Sequence, residues 1–121
     1  MKRKLLLILL VGLFVGSLAV AHGEGGEQIT VEGEILDMAC YVPKGAKGPE
    51  HAKCAKACVK GGQPMGLLAA DGQVYVLFAS HDDATAFEQA KEHAGARVAI
   101  VGVVSERAGL KGLEVHAIKA M

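Results

Sequence analysis

Apolar and polar residues alternate from Ile29 onward, where Ile29, Val31, Gly33 and Ile35 are interleaved with Thr30, Glu32 and Glu34. A period of two belongs to a strand with one face on a core and the other in water. The pattern predicts a first strand ending close to Cys40. Pro43, Gly45 and Gly48 then crowd the stretch from Tyr41 to Gly48, which predicts a loop. Pro49 suits the first position of a helix, where a missing N–H costs nothing. Gly61 and Gly62 suit its end, because glycine accepts the left-handed conformation that terminates helices.

Two further runs, Met65 to Ala70 and Gln73 to Ala79, flank Asp71-Gly72, a dipeptide that favours a tight hairpin. Ser80 is placed to cap a second helix, with Asp82 and Asp83 complementing the positive end of its dipole. Ala84, Phe87 and Ala94 recur at helical spacing with Ala86 and Ala90 beside them, and Gly95 supplies the stop after roughly three turns. Val98, Ile100, Gly102 and Val104 then alternate with Ala99, Val101 and Val103. A turn around Gly109 and Gly112 leads into Leu113, Val115 and Ala117.

These elements predict a mainly β domain with two helices: a five-stranded OB-like barrel with one helix inserted between strands 1 and 2 and another between strands 3 and 4. Gly33 and Gly102 fall inside strands, where glycine marks the bends that let a small barrel close. A small open α+β sandwich is the alternative arrangement.

The first residues change the picture of where this domain works. Lys2, Arg3 and Lys4 precede an apolar run from Leu5 to Val15, and Ala19-Val20-Ala21 follows. A basic start, an apolar middle and an Ala-x-Ala box predict a signal peptide over residues 1–21. The apolar run is shorter than the ~20 residues that span a bilayer. No cysteine lies near the cut, so neither a membrane anchor nor a lipid anchor is expected after cleavage. Residues 22–28, rich in Gly and Glu, read as a flexible lead-in to a domain over 29–121, and the expected location is periplasmic or secreted.

A chain of 121 residues has room for one such domain. Loss of residues 1–21 removes three of thirteen basic residues and no acidic ones, leaving ten against thirteen. The domain is mildly acidic and keeps only Tyr41, Tyr75, Phe78 and Phe87 as aromatics, so it lacks both the clustered cations and the stacking platforms of a nucleic-acid binder. No paired carboxylates suggest hydrolase chemistry, and no Gly-rich phosphate loop follows a strand.

The chemistry lies in Cys40, Cys54 and Cys58, an odd number that cannot all pair within one chain in an oxidising compartment. In the first predicted helix, His51, Cys54 and Cys58 have the spacing H-x2-C-x3-C. At about 100° per residue they fall in an arc of roughly 60°, opposite Lys53, Lys56 and Lys60. Three thiolates and an imidazole are a standard tetrahedral set for zinc, and thiolates also select Cu(I). The expected function is therefore binding of one copper or zinc ion by Cys40, His51, Cys54 and Cys58. Met38 and Met65 are possible thioether additions that would favour copper.

Two other readings stay open. A disulfide from Cys40 to Cys54 or Cys58 would staple an interaction module that offers its inserted helix to a periplasmic partner protein. A Cys54–Cys58 bond is awkward, since side chains four apart on a helix have Cβ atoms about 5–6 Å apart against the roughly 3.8 Å a disulfide prefers. Thiol redox chemistry through C-x3-C is the third, without the C-x-x-C spacing usual for it. His22 would be the first mature residue, where an amino group and ring together bind copper, although its Gly-rich surroundings suit a solvated tail. His81, His93 and His116 read as surface residues.

From Gly33 to Tyr41, and through His51, Cys54, Cys58, Gly61-Gly62-Gln63-Pro64-Met65-Gly66, the chain resembles a group of small exported bacterial proteins. These are OB-like barrels with a Cys-Tyr pair, a His-x2-Cys-x3-Cys helix and a Gly-x-Pro lead into the next strand. The resemblance covers residues 29 to about 119 and implies the barrel and joint use of the cysteines, without implying an activity. The C-x3-C pair is also similar to the copper-binding motif of copper chaperones for cytochrome oxidase assembly, which have a thioredoxin-like fold.

Overall fold

A computed structural model describes residues 26–121, so the predicted signal peptide and most of the predicted lead-in lie outside the described residues. Among these residues no helix is long and apolar enough to cross a membrane. The chain runs through β1 (Gln28–Asp37), α1 (Met38–Lys44), a 3-10 turn (Pro49–His51) leading directly into α2 (Ala52–Lys60), β2 (Met65–Ala69), β3 (Val74–Ala79), α3 (Thr85–Lys91), β4 (Arg97–Arg107) and β5 (Leu110–Ala120).

The sheet closes into a barrel in the order β1-β2-β3-β5-β4, with β4 returning to β1. Closure rules out the open sandwich. β1 makes it possible by changing partner along its length, pairing with β4 over Gln28 to Glu34 and with β2 over Gly33 to Asp37. At the handover, a side chain on Gly33 would collide with the Leu68 carbonyl, so only glycine lets the strands approach. Gly102 meets the Glu114 carbonyl in the same way, beside the register shift between β4 and β5. Both strand glycines thus mark barrel distortions. Ile35, Leu67, Val98, Ile100, Leu113 and Val115 fill the interior, joined by Ala55 and Val59 from α2 and by Ala86 and Ala90 from α3.

Three differences from the sequence expectation have local causes. There are three helices, not two, because Met38–Lys44 is helical where a strand end and a loop are predicted. Asp37 caps this helix, its Oδ1 accepting from Ala39 N at 3.0 Å, and Gly45 ends it with a left-handed φ of 67°. Pro43 removes only one intrahelical hydrogen bond from so short a helix. The second predicted helix is shorter than its spacing implies: α3 begins at Thr85 with Ala84 at its N-cap, and Ser80 does not cap it. Ser80 Oγ accepts from Asp82 N at 3.3 Å and Asp83 Oδ1 from Thr85 N at 2.9 Å, so these side chains serve local turns first. The last hairpin turns on Ala108 and Gly109, both at positive φ (51° and 81°), and Gly112 lies within β5 against the Phe78 ring.

Candidate metal centre

The inward alternation of β1 does not stop at Ile35. It continues to Asp37, whose side chain has no exposed surface. A buried carboxylate is costly unless something compensates it. The N-cap bond to Ala39 satisfies Oδ1, whereas Oδ2 has no hydrogen-bond partner. Facing it at 3.9 Å is His51 Nε2, also buried and without a partner. That separation is too long for a hydrogen bond.

Three elements bring the other side chains to this point. Cys40 lies in the first turn of α1, not at the end of β1, and the cap fixes its position relative to Asp37. His51 sits at the end of the 3-10 turn, which is tied back to the barrel where Gly48 N–H donates to the Glu34 carboxylate. On α2, Ala55 and Val59 point into the core. Cys54 and Cys58 occupy the neighbouring stripe of the same helix, about one residue's rotation away.

The result is two overlapping groups. Donor atoms of Cys40, His51 and Cys54 all lie within 4.8 Å of one another, and so do those of Asp37, Cys40 and Cys58. Cys40 belongs to both. Asp37 forms the floor, Cys40, His51 and Cys58 are half-buried, and Cys54 is exposed at the rim. All three cysteines are unpaired. Lys53 and Lys60 on the far side of α2 are exposed, and Lys60 reaches Glu92 of the turn after α3 at 2.8 Å.

The carboxylate sets the electrostatics of the thiols. The adjacent Asp37 carboxylate, through its close approach and its charge, together with burial, pushes the Cys58 thiol up to about 11. The same carboxylate, together with burial, raises Cys40. Without a bound cation both sulfurs stay protonated at neutral pH. A multivalent cation among them reverses this balance, since a coordinated thiol loses its proton outright.

Asp37 is the member that the sequence expectation lacks. A signal for it exists: it continues the alternation Val31, Gly33, Ile35 and stands three residues before Cys40. Of the two candidate thioethers, Met65 is part of the barrel core and the Met38 sulfur rests on Gly66. His81, His93 and His116 join neither group, and His22 lies outside the described residues. Comparisons with protein families, with curated proteins and with solved structures found no match.

Proposed function

We propose that this chain is an exported metal-binding protein of OB type, holding one zinc or copper ion at Cys40, His51, Cys54 and Cys58 and serving in the handling of that metal. The barrel order β1-β2-β3-β5-β4, with a helix between β3 and β4, supports the OB reading, and the residues of the N-terminal segment support export. One observation carries the metal reading: two buried polar atoms, Asp37 Oδ2 and His51 Nε2, face each other without hydrogen-bond partners beside three unpaired cysteines. Buried polar groups are normally satisfied, and a bound ion is one of the explanations for an exception. The donor types and spacings fit. With bonds of 2.0–2.3 Å to a tetrahedral zinc, ligand atoms stand about 3.3–3.8 Å apart; Cys40, His51 and Cys54 lie within 4.8 Å of one another and Cys58 within 4.8 Å of Cys40, so binding would draw the donors inward.

The test is metal titration of the reduced protein followed by elemental analysis. Wild type retains about one Zn(II) or Cu(I) per chain, and Cys40→Ser, which breaks both groups, retains less than a tenth as much. Equal retention by the two proteins overturns the reading.

The approach of Cys40 to both α2 thiols favours a second reading, in which one disulfide staples an interaction module that presents α2 to a partner. Mass spectrometry of untreated protein separates the two, because a mass lower by two hydrogens with no metal belongs only to the disulfide. Thiol redox catalysis has less support, since the attacking species is a thiolate and Asp37 holds two of these sulfurs in the thiol form.

A further inference from the structure

We infer that Asp37 is itself a ligand of the bound ion, through Oδ2, and that the centre consequently selects Zn(II) or a similar divalent cation over Cu(I). The inference rests on the metal-binding reading above and narrows it to one class of ion.

Among the described residues Asp37 is the one buried charged side chain. Its two oxygens have different roles. Oδ1 is committed to capping α1, while the carboxylate stands in one group with the thiols of Cys40 and Cys58 and its Oδ2 lies 3.9 Å from His51 Nε2. If Asp37 served only to orient His51, the two groups would close into an N–H···O bond, which has a length of about 2.9 Å. They stand at 3.9 Å instead, with both atoms unsatisfied. An ion of zinc's size between them needs a separation of about 3.4 Å, nearer to what is observed.

Five donors then compete for four positions. Asp37 is buried and fixed by its backbone cap, whereas Cys54 is exposed at the rim. Asp37 and Cys40 each lie within 4.8 Å of both His51 and Cys58, so the set they define is Asp37, Cys40, His51 and Cys58: one carboxylate oxygen, one imidazole nitrogen and two sulfurs. An oxygen ligand suits divalent zinc and contributes little to soft Cu(I), which sulfur alone satisfies.

Competition titrations with Zn(II) and Cu(I) on reduced wild type and Asp37→Asn test this directly. The substitution weakens Zn(II) by more than about 100-fold, beyond the 10–100-fold lost with a merely orienting partner, and changes Cu(I) by no more than a few-fold. Asp37→Ser repeats the measurement with a residue that also caps helices. X-ray absorption at the zinc edge of loaded wild type supplies a readout free of any substitution: two sulfurs and two light donors are expected. A shell of three sulfurs and one nitrogen, or equal losses for the two ions, overturns Asp37 as a ligand while leaving the metal reading intact. If wild type binds neither ion, both fall.

Discussion

The molecule contains two histidine–carboxylate pairs in opposite states. On the outer surface of β5, His116 Nε2 lies 2.9 Å from Glu114 Oε1, and its other ring nitrogen is 2.7 Å from the Gln28 amide. At the end of β1, His51 Nε2 and Asp37 Oδ2 stand 3.9 Å apart, each without a hydrogen-bond partner. The exposed pair sits on one strand with side chains free to turn, so it closes to hydrogen-bond length. The buried pair is held by an N-cap on one side and a 3-10 turn on the other. A pair that closes in water contributes little to stability, whereas the open buried pair is the gap that the proposed ion would fill.

The largest effect that would sharpen this contrast is stabilisation by metal. Zinc at a hundredfold excess over its Kd should raise the unfolding free energy of the reduced protein by about 2.7 kcal/mol, read from urea denaturation with and without chelator. His51→Ala should abolish the increment and His116→Ala should keep it. An equal response of the two variants breaks the comparison.

A smaller effect concerns the thiols. Asp37 holds Cys58 near 11 against an ordinary value of 9.0. Between those values native wild type therefore carries less thiolate than the unfolded chain, and its alkylation by iodoacetamide lags until the pH approaches the raised value. Asp37→Asn should move the midpoint of the metal-free rate profile down toward 9.0, and an unmoved profile would mean that the carboxylate does not govern the sulfur.

The smallest belongs to the surface. The hydrogen bond from His116 holds the Glu114 carboxyl below its ordinary 4.5. A depressed carboxylate contributes stability that is present above its unfolded value and lost as pH falls through the folded one. His116→Ala should bring Glu114 back up toward 4.5 in an NMR titration, with little change in zinc affinity.

Much of the barrel was legible in short-range pattern. The alternation from Ile29 and from Val98 and the Asp71-Gly72 turn are local signals, and the strands appear where they point. The segment from Met38 to Lys44 was not, because Pro43, Gly45 and Gly48 are read as loop residues while the cap that nucleates a helix there is a single aspartate. The Ser80 cap failed for the converse reason: a good capping residue was already used by a nearer turn.

The stripe of His51, Cys54 and Cys58 was expected from helical spacing, and the structure keeps Cys54 and Cys58 on α2 while His51 ends the 3-10 turn before it; the third thiol, Cys40, is read directly from the sequence. The sequence by itself determined the donor types, their order and the strands that curl into a barrel. Only the tertiary structure decided that Cys40 turns toward α2, and that Asp37 lies in the dark beneath it with one oxygen unpaired. Those facts depend on where β1 ends against two helices that contact it from later in the chain, and burial is a property of what surrounds a residue, which no local spacing encodes.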